Sequence, residues 1–248
     1  MQQTKKRGSI LVTISIATLL LSGGIIVHKG TRHFLGNNVG TFMWGCVTRP
    51  FENGAFAPCS TFVAQEIIKP LEVTCIKRSI SSNHIIRVFE GGAGSGVFTR
   101  KIVKTLENIG VDYIFDVVEI NPVYCQKLIQ EFADNPHVRI HCISLLDWHV
   151  QQEPYDVIIS SVPFSIFDIE DVKKIFNLYQ QMIKPGGMFS YIKLNVSNIT
   201  GKFLWGEKKK QYQERQNILD TFNNKYCVDT VYVTRNIPPV YIYHCKVG

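Results

Sequence analysis

The feature that most constrains the fold is a glycine-rich turn set between a short apolar run and a helical one. Ile85 to Glu90 (IIRVFE) reads as a buried strand, and Glu90-Gly91-Gly92-Ala93-Gly94-Ser95-Gly96 follows it directly in the form E-x-G-x-G-x-G. Phe98, Ile102, Val103, Leu106 and Ile109 then recur at helical spacing. Strand, glycine turn and helix make the first βα unit of a nucleotide-binding sheet. A dinucleotide-type G-x-G-x-x-G needs glycine at Val97 or Thr99, and a phosphate loop needs Lys before Ser or Thr. Neither condition is met. Glycines let a backbone approach its ligand closely, so the turn suits a nucleoside that carries no phosphate. A tight βα turn without a ligand has the same appearance.

The residues downstream continue the alternation. Tyr113 to Ile120 reads as a second strand, and Asn121-Pro122 supplies an N-cap and first helical residue for a helix carrying Cys125, Leu128, Ile129 and Phe132. Glu119 closes that strand 23 residues after Gly96, where dinucleotide-type folds place an acid on the ribose hydroxyls; a solvent-facing strand-end Glu is the alternative. Val138 to Ile143 reads as a third strand. In the SLLDW stretch after it, Asp147 could accept from an adenine amine with Trp148 flanking the ring, or Asp147 could be a plain turn residue. Tyr155 to Ser160 reads as a fourth strand, and Ser161-Val162-Pro163-Phe164 follows at the carboxyl end, where open α/β sheets bind ligands. A helix over Asp168 to Ile183 ends at Pro185-Gly186-Gly187 before a strand from Met188 to Val196. Val228 to Thr234 and Val240 to Lys246 then pair as an antiparallel hairpin. The pattern is an open, mostly parallel α/β sheet.

The amino-terminal part is of a different kind. Lys5, Lys6 and Arg7 precede Gly8 to Val27, a run of 20 residues without a charge, which is the length a helix needs to cross a bilayer. No A-x-A site follows, so an uncleaved anchor is expected over a secretory signal peptide. The net charge of +7 favours an anionic partner. Gly201 to Arg215 sets Phe203, Leu204 and Trp205 beside Lys202, Lys208, Lys209, Lys210 and Arg215, which suits docking onto anionic lipid or a merely solvated basic helix. The seven cysteines are scattered without a C-x-x-C pair, so they read as reduced thiols, and no metal site is expected.

EGGAGSG, VVEINP, LLDW, YDVIISSVPF and IKPGG, in this order and spacing, resemble the class I S-adenosylmethionine-dependent methyltransferases over Ile85 to Val196. Asn53-Gly54-Ala55-Phe56-Ala57-Pro58-Cys59-Ser60 is similar to the G-A-x-A-P-S-S element upstream of the fold in bacterial phospholipid N-methyltransferases. Arg235-Asn236-Ile237-Pro238-Pro239-Val240-Tyr241 is similar to their closing N-x-P-P-A stretch. Cys59 and Val240 depart from that pattern, standing for Ser and Ala. Ribosomal RNA adenine dimethyltransferases share the core but carry N-L-P-Y/F at the fourth strand, where this chain has Ser161 for Asn.

The resemblance implies a Rossmann-like α/β methyltransferase sheet, mostly parallel with a C-terminal antiparallel hairpin and preceded by an N-terminal hydrophobic helix. With the uncharged amino-terminal run and the aromatic-rich stretch after it, the chain divides into an expected membrane anchor over 1–33, an interfacial or lid segment over 34–60 and a methyltransferase domain over 61–248. The implied cofactor is S-adenosyl-L-methionine, with Glu90, Gly92, Gly94 and Gly96 shaping its loop, Glu119 on the ribose, and Asp147 and Trp148 at the adenine. Ser161, Pro163 and Phe164 would line the acceptor site. The implied substrate is the amino head group of a phospholipid such as phosphatidylethanolamine, at an anionic membrane surface, with the catalytic domain facing the cytoplasm. An RNA adenine N6-methyltransferase, or a small-molecule or protein methyltransferase, is the alternative. Tyr191, His149 and His244 are proton-acceptor candidates by residue type alone.

Overall fold

The computed structural model describes residues 59–79, 85–150, 153–164, 167–195, 206–236 and 238–247. The expected anchor over 1–33, residues 34–58 of the interfacial segment, and Lys202 to Trp205 lie outside the described residues. Among the described residues no helix is long and apolar enough to cross a membrane.

Two short helices, α1 (Thr61–Ile67) and α2 (Lys69–Ser79), precede the alternating part. There follow β1 (Ile86–Gly91), α3 (Val97–Ile109), β2 (Tyr113–Val118), α4 (Pro122–Glu131), β3 (Val138–His141), a 3-10 turn at Leu145–Asp147, β4 (Tyr155–Ser160) and α5 (Ile169–Met182). β5 (Ile183–Leu194), α6 (Gly206–Tyr226), β6 (Cys227–Val233) and β7 (Val240–Val247) complete it. The strands form one seven-stranded sheet in the order β3-β2-β1-β4-β5-β7-β6. β1 to β5 pair in parallel, while β7 is antiparallel to both β5 and β6. The order reverses between β1 and β4, and such a switch point opens a crevice at the carboxyl ends of the strands.

Alternation along each strand divides the core between two faces. Val88 of β1, Phe115 and Val117 of β2, and Ile242 of β7 pack with Ile67, Leu71, Ile102 and Leu106 of α1 to α3. Phe89, Ile158, Phe189 and Tyr191 pack on the other face with Ile175, Phe176 and Tyr179 of α5 and with Leu219 and Phe222 of α6. The expected N-cap is present: the Asn121 side chain accepts from the backbone N–H groups of Val123 and Tyr124, and Pro122 opens α4.

Three expectations need correction. Pro185-Gly186-Gly187 does not separate α5 from its strand, because β5 begins at Ile183 and runs through these residues. Tyr155 pairs with Ile183 and Val157 with Met188, so the extra residues form a bulge at Gly186, whose φ is 74°. The basic stretch reaches beyond Arg215: from Gly206 it is one helix running to Tyr226, anchored by Leu219 and Phe222. The cysteines are not all reduced: Cys125 and Cys142 form a disulfide that ties α4 to the residue after β3. They lie 17 residues apart in sequence, and the parallel pairing of β2 with β3 brings their backbones to a Cα–Cα distance of 5.7 Å.

Candidate active site

The glycine turn leaves β1 at the switch point and is pinned to the neighbouring strand. The Val118 carbonyl accepts from the N–H groups of Gly92 and Ala93, at 2.8 and 3.2 Å. Gly94 and Gly96 both adopt positive φ, at 56° and 82°, which an L side chain adopts only with strain. Their surroundings differ. A Cβ at Gly96 would stand 2.6 Å from Leu128, whereas one at Gly94 would meet nothing within 4 Å. Gly96 is thus tightly enclosed, and Gly94 presents bare backbone to open space.

Two acids converge on this turn. Glu119, just past β2 and buried, accepts from the Gly94 N–H and the Asn121 N–H, each at 2.6 Å. Burial pushes its carboxyl up, and the backbone donors partly offset this. Glu90 ends 0% exposed. One of its oxygens accepts from the Thr99 hydroxyl at 2.7 Å, while Oε1 is buried without a partner. Burial pushes the Glu90 carboxyl up to about 8, with the neighbouring Glu119 acting in the same direction.

This arrangement fits S-adenosylmethionine. An ammonium and a sulfonium on one ligand would offset the two poorly solvated carboxyls, and the orphaned oxygen of Glu90 lacks a donor that such a ligand supplies. Glu119 has the acceptor geometry for a cis-diol, and the open side of Gly94 leaves room for the nucleoside. When bound, the cofactor would supply an electrophilic methyl group, and Glu90, Glu119 and the glycine turn are the groups that would hold and orient it.

Trp148 is buried, edge-on to Phe89 at 5.0 Å and to His141 at 4.8 Å, so it backs the wall beside the third strand. Asp147 lies exposed in the 3-10 turn, whose start is capped by the Ser144 side chain. The Ser161 hydroxyl donates to the Gly92 carbonyl, locking the loop after β4 to the glycine turn. Pro163 is half-buried. Phe164 is buried against Phe176 and Tyr191, at 4.8 and 5.7 Å, so its ring belongs to the aromatic core beneath that loop.

Two of the proton-acceptor candidates point into the core. Tyr191 donates to Asn223 at 2.9 Å and burial raises its pKa, while His244 shares a hydrogen bond with the Ser190 hydroxyl at 2.8 Å and burial lowers its pKa. His149 is exposed. Sequence reasoning missed Thr99, which holds Glu90 from the first turn of α3, and Tyr179, which donates to Ser160 at 3.0 Å beneath the loop after β4. Neither belongs to a motif: Thr99 meets Glu90 because the glycine turn folds the start of α3 back onto the end of β1, and Tyr179 meets Ser160 because α5 packs on β4.

Residues 88–187 match the family model described as "Methyltransferase domain". A curated relative, malonyl-[acyl-carrier protein] O-methyltransferase 1 of Ilyobacter polytropus, is 24% identical over 104 residues. That match covers 42% of this chain and 36% of the relative, so the chain spans little more than a third of its length. Among solved structures, the N-methyltransferase NodS from Bradyrhizobium japonicum WM9 in complex with S-adenosyl-L-homocysteine is similar at a TM-score of 0.51 and 14% identity, over 72% of this chain and 86% of that one. The DszA carbon methyltransferase is similar at a TM-score of 0.56 and 13% identity, over 84% of this chain and 65% of that one. The switch-point crevice and its paired acids thus fall within residues 88–187, the stretch that matches the methyltransferase-domain model, and the likeness to these solved methyltransferases shows the fold that surrounds it.

Proposed function

We propose that the chain transfers the methyl group of S-adenosylmethionine to the amino head group of a membrane phospholipid of the phosphatidylethanolamine type. The observation that carries this reading is the meeting of two stretches, remote in sequence, that resemble phospholipid N-methyltransferases. The Ser60 N–H donates to the Asn236 side chain at 2.8 Å across 176 residues, and the Asn236 amide donates to the Pro238 carbonyl at 2.7 Å. Ser60 also caps α1, and Arg235 lies over the Phe62 ring at 4.9 Å. This unit adjoins the start of β7, which pairs with the carboxyl end of β5, so it lies at the sheet edge that carries the glycine turn.

The acceptor loop supports an aliphatic amine over an adenine. Ser161 stands where adenine methyltransferases carry an amide, and its hydroxyl is already committed to Gly92. Residues 1–27 would hold the enzyme at the membrane with its catalytic domain on the cytoplasmic side. The test is incubation of the purified chain with labelled S-adenosylmethionine and vesicles of phosphatidylethanolamine and phosphatidylglycerol, with RNA as a parallel acceptor. Label in mono- or dimethylated phosphatidylethanolamine is the expected result. Label confined to RNA, or to a soluble amine added alongside, overturns the lipid reading.

A further inference from the structure

Glu119 is held from two sides by segments that one covalent bond joins. Its carboxyl accepts from the Asn121 N–H at 2.6 Å, and the Asn121 carbonyl accepts from the Cys125 N–H at 2.9 Å, so one path runs into the first turn of α4. The Glu119 backbone N–H donates to the His141 carbonyl at 3.1 Å, and the residue after His141 is Cys142. The Cys125–Cys142 bridge closes these two paths into a ring around Glu119.

The ring has few other fastenings. Pairing between β2 and β3 ends at Val118 and His141, and β3 is a four-residue strand at the edge of the sheet. Of the ten residues of α4 only Cys125 and Leu128 are buried, and the ion pair of Glu131 with Arg100 of α3 lies at the far end of the helix. The bridge thus fastens the start of α4 to the end of β3. Cys125 is 0% exposed, whereas Cys142 is exposed, so solvent thiols reach the bridge from that side.

We propose that the Cys125–Cys142 bridge is a reversible redox site that sets the affinity for S-adenosylmethionine through Glu119. This rests on the assignment of Glu119 to the cofactor ribose. The reductant is a dithiol. One of its thiolates attacks the Cys142 sulfur, forming a mixed disulfide while Cys125 leaves as a thiolate and takes up a proton. The second thiol of the reductant then displaces Cys142, so two electrons and two protons pass to the protein and the reductant becomes a disulfide. With the ring open, the first turn of α4 is no longer fastened to the end of β3, and ordering Glu119 subtracts from the free energy of binding.

The test uses the full chain and measures calorimetric binding of S-adenosylhomocysteine before and after treatment with dithiothreitol, with far-UV circular dichroism as the check on folding. Reduction should weaken binding about tenfold, and reoxidation should restore it. Cys142→Ser, at an exposed position, should bind as the reduced parent does and ignore the dithiol. Cys227→Ser, on β6 at the other edge of the sheet, should keep the full difference. In Glu119→Ala the oxidised and reduced forms should bind within about twofold of each other. Binding must act back on the bridge by the same factor, so saturating S-adenosylhomocysteine should make its reduction midpoint more negative by about 30 mV for a tenfold effect.

Equal affinities before and after reduction overturn the proposal, as does a redox difference that survives intact in Glu119→Ala. A midpoint shift that keeps growing with ligand, together with lost circular dichroism, means that the reduced chain unfolds, and this too overturns it. If oxidised Glu119→Ala binds as the parent does, the ribose assignment fails and the proposal with it. If that variant is weakened while the parent ignores reduction, the redox site alone fails.

Discussion

Glu90→Gln probes the most exacting electrostatic feature of the site. The parent carboxyl is fully buried, accepts one hydrogen bond from Thr99, and has its pKa raised from 4.5 to about 8. Because the folded value lies above the unfolded one, the contribution of Glu90 to stability is complete below about pH 4.5 and is lost as pH rises through about 8. At 1.36 kcal/mol per pKa unit, a gap of this size destabilises the folded state by about 4 to 5 kcal/mol at pH 9. Glutamine keeps an acceptor for Thr99 and removes the titration. The stability advantage of the variant over the parent should therefore grow by about 4 kcal/mol between pH 5 and 9, or about 8 to 16 °C in Tm for a chain of this size. Thermal unfolding of the ligand-free proteins over that range measures it. Parallel curves for parent and variant would refute a buried neutral acid at this position. Binding gives an independent readout. An ammonium paired with Glu90 needs the ionised carboxylate, so S-adenosylhomocysteine should bind the parent more tightly from pH 6 to 8, by up to about tenfold per pH unit. In the variant that slope should be lower.

Glu119→Ala removes the acceptor for a ribose diol and should weaken S-adenosylhomocysteine by about one to two decades in calorimetry; unchanged affinity in a folded variant would sink the assignment. Gly94→Ala and Gly96→Ala separate ligand contact from packing. Alanine at Gly94 adds strain of about 1 to 2 kcal/mol but meets no protein atom within 4 Å, so it should impair cofactor binding more than it lowers Tm. At Gly96 the new Cβ collides with Leu128, so the loss of Tm should be the larger of the two, and the reverse ranking contradicts the geometry. Reducing the Cys125–Cys142 bridge, which closes a loop of 17 residues in sequence, should cost about 3 kcal/mol in denaturant unfolding; Cys125→Ser should match the reduced parent, and insensitivity of the parent to reductant would argue against the bridge.

The sequence determined the βα alternation, the glycine turn after β1, the acid closing β2 and the Asn121-Pro122 helix start. Each is written in neighbouring residues, through apolar periodicity or through a residue type that a local backbone conformation demands. The pairing of Ser60 with Asn236 and of Cys125 with Cys142 came from the tertiary structure. These positions are distant in sequence, and the strand order, together with the face of the sheet on which each helix lies, sets their proximity. Pro185-Gly186-Gly187 reads locally as a chain break, yet Ile183 before it and Met188 after it both pair with β4, and β7 pairs from Gly187 onward, so it is a bulge within a strand. The extent of α6 was hidden for the opposite reason: its many polar residues blur the helical period, and its register is decided by Leu219 and Phe222 finding the aromatic face of the sheet. Trp148 shows the same limit, since the residues beside it in sequence could not reveal that Phe89 and His141 would enclose its ring. Local patterning was enough to specify which elements form, because each depends on its own few residues. Which side chains meet at the crevice depended on the packing of all of them, because burial and partner are properties of the assembled sheet.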